Sequence, residues 1–194
     1  KVILVGDNFD AALKESLLYC KPKKLPFIHH FDDPLVIAGQ GTIGKEILEQ
    51  FNEKIDIIFV AVGGGGLISG VGAFIKTINP KIKIIAVEAE DAAGLNSSLA
   101  AKKRIKLKEV GLFADGAAAK QIGKNNYKLI TEWIDGSITV TTDEICAAVK
   151  DTFIDTRTIP EPTGALALAG LKKYVINKKI KNKNLIATYC GSNL

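Results

Sequence analysis

Apolar positions along the chain fall into two alternating rhythms. Short continuous apolar runs occur at VILV (2–5), LPFIHH (25–30), IDIIFVAV (55–62), KIKIIAVEAE (81–90), SITVT (137–141) and NLIATYC (184–190). Such runs are the pattern of β-strands, and the longer ones of strands buried on both faces of a parallel sheet. Between them the spacing becomes helical. Phe9, Leu13, Leu17 and Leu18 share a face in 8–20, with Asp7 or Asn8 as cap. Ile43, Ile47, Leu48 and Phe51 share another, after the Asp32-Asp33-Pro34 turn. Further helices are expected over 67–78, across AAGLNSSLAAKK, in NYKLITEWI, in DEICAAVKDTFIDT with Asp143 as N-cap, and from Pro162 through PTGALALAGLKKYVINK. VGLFADGAAAKQIG reads as a loop of small residues. Strands alternating with helices predict an α/β fold with an open, parallel, twisted sheet and helices on both faces. The sequence offers one domain boundary, the DDP turn near 32–35, which divides residues 1–35 from 36–194.

Composition narrows the function classes. Among 194 residues, 47% are hydrophobic and 24% charged, ordinary for a globular protein. The net charge of +5 comes from scattered lysines, and only 7% of residues are aromatic, so a nucleic-acid partner is not expected. No run of 18 apolar residues suggests a membrane span, and the N-terminus lacks a signal-peptide pattern. Cys20, Cys146 and Cys190 form no motif. That argues for a reducing compartment and against a disulfide framework or zinc site. The chain opens on KVILVG without Met, so a piece of a longer protein is expected.

The candidate chemistry centres on Gly63, Gly64, Gly65 and Gly66, which follow an apolar run and precede a helix. Strand, glycine loop and helix make an anion cradle, because backbone N–H groups at a helix N-terminus are partially positive and a loop without side chains lets a phosphate approach. The expected phosphate site is Gly63–Gly66 with Leu67. No register of these glycines meets the i, i+2, i+5 dinucleotide fingerprint, although Glu88 sits where a ribose-binding acid would. Upstream, Gly39 to Gly44-Lys45 has Walker spacing, but Glu46 stands where a Ser or Thr must hold magnesium. His29 and His30 are expected to face opposite ways on a strand, which disfavours a shared metal. Glu161, between two prolines, is either an acid favoured by a helix N-terminus or a carboxylate beside the glycine loop. Cys190 follows the last strand, where open α/β sheets bind ligands; on the residues alone an inert buried thiol is the simpler reading.

HFDDPLVIAGQGTIGKEILEQ, FVAVGGGGLISGV, IIAVEAEDAAGL, GLFADGAAAKQIG, DEICAAVKDTF and EPTGALALAGLKKY, in this order, resemble the threonine dehydratase (threonine deaminase) family. These are pyridoxal-phosphate enzymes of the tryptophan-synthase-β fold type, fold type II. GLFADGAAAKQIG and EAEDAAGL are closer to the biosynthetic, isoleucine-forming type. The resemblance implies that Gly63–Gly66 and Leu67 surround the phosphate of pyridoxal 5'-phosphate. It implies that Cys190 bonds the pyridine nitrogen, where Ser is usual in the biosynthetic enzymes and Cys in related serine dehydratases. It places Glu161 near cofactor and substrate. Gly94 stands where some relatives carry a cation-binding acid, so no metal is expected. The implied reaction converts L-threonine, with L-serine as alternative, to a 2-oxo acid and ammonia. A homo-oligomer and a cytoplasmic location are expected with it.

One departure is large. The family's Schiff-base lysine lies in S-F-K-x-R-G-A and a ring-contacting asparagine in S-x-G-N-H-A, and neither motif occurs in the 194 residues. The expectation is a partial catalytic region: the remainder of a small domain (1–35), then most of a large cofactor-binding domain (36–194), inactive alone. A serine dehydratase or racemase of the same fold, a nicotinamide-dependent dehydrogenase and a non-catalytic module binding pyridoxal phosphate or a partner remain as rivals.

Overall fold

The computed structural model describes residues 2–6 and 9–191. Its centre is a four-stranded sheet of β1 (Ile57–Ala61), β2 (Lys83–Ala89), β3 (Gly136–Val140) and β4 (Leu185–Ala187), ordered β3-β2-β1-β4 with every neighbouring pair parallel. The continuous apolar run at 55–62 becomes the interior strand β1 because both of its faces are covered. Ile57, Phe59 and Ala61, with Ile85 and Val87, pack under α6 (Thr142–Thr156) and α7 (Pro162–Lys178). Ile58, Val60, Ile84 and Ala86 pack against α3 (Gly66–Ile78), α4 (Gly94–Ala100) and α5 (Lys124–Trp133). Ile58, Phe59 and Val60 have no exposed surface, and each such side chain contributes about 1.5–3 kcal/mol.

Two helices precede this core. The first, α1, spans Phe9–Cys20, and its expected cap at Asp7 or Asn8 lies outside the described residues. The second, α2 (Pro34–Gln50), starts where Asp33 accepts a hydrogen bond from the Leu35 N–H at 2.8 Å and Pro34 opens the helix. It lies along α3 on a seam of small residues. A Cβ on Gly41 would come 3.3 Å from the Gly70 carbonyl oxygen, and one on Gly70 would strike the Ile37 carbonyl. The Walker-like spacing is therefore a helix–helix contact inside α2, where Lys45 pairs with Glu49 on the exposed face at 3.5 Å.

Three sequence expectations are corrected. VILV and LPFIHH are not strands: neither pairs with another segment among the described residues, and strand backbone needs such a partner. Val2 and Leu4 are 84% and 93% exposed. The helix expected across AAGLNSSLAAKK is shorter, because a 3-10 turn at Glu90–Ala92 precedes it. The N-cap of α6 is Thr141. Its hydroxyl accepts from the Glu144 N–H at 3.2 Å, and the Glu144 carboxylate accepts from the Thr141 N–H at 2.8 Å. This reciprocal pair satisfies two backbone donors, which Asp143, already inside the first turn, cannot do.

Candidate active site

The glycine loop leaves β1 and enters α3 with Gly65 in the left-handed region at φ 94°. A residue with a Cβ is strained there. Bareness at Gly64 has a second cause, because a Cβ would strike the Phe31 ring. The first returning bond of α3 runs from the Ser69 N–H to the Gly65 carbonyl at 3.0 Å. The N–H groups of Gly66, Leu67 and Ile68 thus have no helical acceptor, and no side chain caps them.

The loop is held from behind by fully buried Asn126, whose Nδ2 donates to the carbonyls of Gly64 at 3.0 Å and Phe31 at 2.7 Å. Asp32 fixes the start of α5: its carboxylate accepts from the N–H groups of Lys124, Asn125 and Asn126 at 2.8, 2.9 and 3.1 Å. Glu88 does the same for α4, accepting from Leu95 and Asn96 at 2.7 and 2.8 Å. It is 1% exposed, and burial raises its carboxyl to about 7 against the pull of those two donors. Glu88 is therefore an internal cap with no free face for a ribose.

A cleft of about 410 Å³ opens in front of the loop. Gly63, Gly64, Gly65, Gly66 and Leu67 form one wall, Asp115 to Ala119 another, and His30, Phe31, Thr163 and Cys190 complete it. Burial raises the Cys190 thiol, and the negative charge of Glu161 adds to the effect, so the thiol stays protonated and neutral at physiological pH. Gly164 must be bare because a Cβ would strike the Cys190 carbonyl. Glu161 does not line the cleft. It is the N-cap residue of α7, donates its N–H to the Gly191 carbonyl at 3.0 Å, and lays its carboxylate against Gly191. The structure thus brings the glycine loop and Cys190 together and sets Glu161 behind Cys190. Ser192 and Asn193 lie outside the described residues.

The two histidines do not alternate, since their segment is no strand. Their rings stack at 4.9 Å, and His29 Nδ1 accepts from the Asp32 N–H at 3.2 Å. Burial, then the neighbouring His29, lowers the pKa of His30, which faces the cleft. No group of three His, Cys, Asp or Glu side chains among the described residues is placed to hold a metal ion.

Sequence reasoning missed Thr163, Asn126, Asp32 and the small-residue wall. Thr163 lies two residues beyond Glu161 in the same PEPTGA stretch, so its motif was visible and its role was not. Among helices with described N-termini, α2, α4, α5 and α6 each receive a side-chain oxygen, from Asp33, Glu88, Asp32 and Thr141. The N-termini of α3 and α7 receive none, and both border this cleft. The arrangement can take an anion at α3 and a neutral hydrogen-bonding group at Cys190, with apolar surface between.

The sequence of this chain matches the family model of the pyridoxal-phosphate dependent enzymes over residues 1–191. The chain belongs to that family. It is 49% identical over 194 residues to the biosynthetic L-threonine dehydratase of Burkholderia multivorans and 52% identical over 196 residues to the mitochondrial threonine dehydratase of Schizosaccharomyces pombe. All of the chain is matched in both cases, but it spans only 38% and 33% of those proteins. Among solved structures, the processed form of threonine deaminase isoform 2 from Solanum lycopersicum superimposes with a TM-score of 0.95 at 44% identity, covering 100% of this chain and 53% of that one. Serine racemase from Dictyostelium discoideum gives 0.84 at 33% identity, covering 98% and 60%. No helix among the described residues is long and apolar enough to cross a membrane.

Proposed function

We propose that this chain is the cofactor-binding part of a threonine ammonia-lyase that converts L-threonine to 2-oxobutanoate and ammonia, the entry step of isoleucine synthesis. One observation carries the reading: the uncapped N-terminus of α3 and the neutral Cys190 thiol border a single cleft. The names of the relatives supply the substrate. In this reading residues 1–35 belong to a small domain and 36–194 to a large one.

The residues present fit pyridoxal phosphate. The loop backbone of Gly63–Gly66 and Leu67 would hold its phosphate, with the positive end of α3 adding to the attraction. Bound there, the cofactor supplies an electron sink for charge developing at the substrate's α-carbon. Cys190 Sγ keeps its proton and would meet the ring nitrogen as a neutral partner, one that would not drive that nitrogen to its protonated form. Glu161 helps keep it so: a negative charge beside the thiol disfavours the thiolate. Ala117 to Ala119 line the cleft with small apolar side chains, next to Asp115. A homo-oligomeric assembly and a cytoplasmic location belong to the same reading by resemblance, although the fission-yeast relative is named as mitochondrial.

The test is turnover. The full-length protein, loaded with pyridoxal phosphate, releases 2-oxobutanoate and ammonia from L-threonine. The 194-residue chain alone releases none, because it has no S-F-K-x-R-G-A lysine to hold the cofactor's aldehyde. Product from the chain alone would sink this account. Cys190 favours one alternative, a serine dehydratase or racemase of the same fold. Faster loss of L-serine than of L-threonine, or appearance of D-serine, would select it.

A further inference from the structure

Among the described residues, the buried hydroxyls have partners with one exception. Ser69 donates to the Asn126 carbonyl at 3.4 Å, Ser98 to Gly94 at 2.6 Å, Thr152 to Ala148 at 2.7 Å and Thr188 to Phe59 at 3.3 Å. Thr163 is 7% exposed, and its Oγ1 has no hydrogen-bond partner among the described residues. A buried polar group without a partner is costly, so its position asks for a reason.

Local structure removes the usual ones. Thr163 is the second residue of α7, and the residue four before it, Ile159, lies outside the helix. No helical carbonyl is therefore in place for the back-bond that Thr152 makes. Gly116 covers the hydroxyl closely: a Cβ there would sit 3.1 Å from Oγ1. Its N–H is already committed to Asp115 Oδ1 at 2.8 Å. What remains in front of Thr163 is the cleft, which it lines together with Cys190.

We infer that Thr163 is a second ring-side partner in the cleft, its hydroxyl hydrogen-bonding the aromatic edge of the bound cofactor beside the Cys190 thiol. This rests on reading the cleft as a pyridoxal-phosphate site. The chemistry of the two ends separates the roles. The α3 end offers backbone N–H groups and a positive dipole, suited to phosphate. The Thr163 end offers a hydroxyl that donates or accepts and carries no charge, suited to a polar atom on a heteroaromatic ring. Thr163 is in this account a binding and positioning residue, and the proton it shares stays on oxygen.

The test compares wild type, Thr163→Val and Thr163→Ser in the full-length protein. Three readouts are taken: pyridoxal-phosphate dissociation constant, absorption spectrum of the bound cofactor, and melting temperature with and without cofactor. Thr163→Val, close to isosteric, weakens cofactor binding by about tenfold, one hydrogen bond's worth, and displaces the absorption band. Thr163→Ser restores both, and the cofactor-free melting temperatures stay alike. Unchanged affinity and spectrum in Thr163→Val overturn the inference. So does an equal fall of both melting temperatures with affinity intact, which marks a packing role. Thr163→Ala carries the same comparison if the valine variant does not fold. A wild-type protein that takes up no pyridoxal phosphate overturns the reading of the cleft itself, and this inference with it. That outcome is distinct from failure of the Thr163 variants alone.

Discussion

Two neighbouring strands each feed a helix N-terminus, and the chain treats the two ends in opposite ways. After β2, the helix α4 starts against the Glu88 carboxylate, which reaches back from the strand and takes the N–H groups of Leu95 and Asn96. After β1, the helix α3 starts on four glycines with no side-chain cap on its first N–H groups. The first end is filled by the protein's own carboxyl group and sealed in the core. The second faces a cleft. Both ends present the same unfilled N–H donors, and what differs is whether the sequence supplies the acceptor. The position of a carboxyl group therefore tells more about which helix end stays open to the cleft than a count of glycines does.

The sharpest way to break this contrast is to give α3 an anion of its own. Gly66→Asp puts a carboxylate at its first turn, where a Cβ would also crowd the Phe31 carbonyl at 2.9 Å. The phosphate then loses its donors and meets like charge. Cofactor affinity of the full-length protein falls by about a thousandfold, the equivalent of two charge-assisted bonds. Equilibrium titration with pyridoxal phosphate, followed by absorbance, measures it. A change under threefold would mean that the phosphate sits elsewhere.

The second test exploits the sealed end. Burial sets the Glu88 carboxyl at about 7, above its ordinary 4.5. The folded protein thus holds a proton between those values that the unfolded chain has released. The sign follows: this contribution to stability is complete below pH 4.5 and is lost as pH rises to about 7. The loss is about 3 kcal/mol across that window. Glu88→Gln cannot ionise and flattens the decline, at about 1 kcal/mol for one misfitted N–H at low pH. Denaturant midpoints at pH 5 and pH 8 in both proteins give the comparison. Identical pH slopes would show that Glu88 is ionised throughout.

Much of this was legible in the sequence because it depends on local pattern. The runs at 55–62 and 81–90 became β1 and β2, since consecutive apolar residues suit a strand covered on both faces. Helical spacing located α2, α3, α6 and α7. VILV and LPFIHH misled for a physical reason: strand propensity is local, whereas a strand exists only by pairing. Asp143 misled because several residues at a helix start can cap, and the Thr141–Glu144 pair does so reciprocally. The site was half legible. The glycine loop and Cys190 stand 127 residues apart counted from Gly63, and the resemblance joined them where spacing could not. Glu88 looked like a ribose acid because position along a strand does not reveal burial. Asn126 and Asp32 were invisible, since both act through contacts across more than 60 residues.

The finest test separates glycine from helix position. Gly39 belongs to the Walker-like stretch, but it lies within α2 on the exposed side, and a Cβ there would meet no atom within 4 Å. Its N–H is part of a helix already under way, so the residue has no anion to attract and only lowers helix propensity. Gly39→Ala therefore stabilises the full-length protein by about 0.5–1 kcal/mol, through propensity and a less flexible unfolded chain. It leaves the cofactor dissociation constant where it was. Thermal unfolding and the same absorbance titration read the two effects separately. A Gly39→Ala variant that lost cofactor would make the Walker-like spacing part of the anion site, and the contrast between α3 and α4 would no longer account for where the phosphate binds.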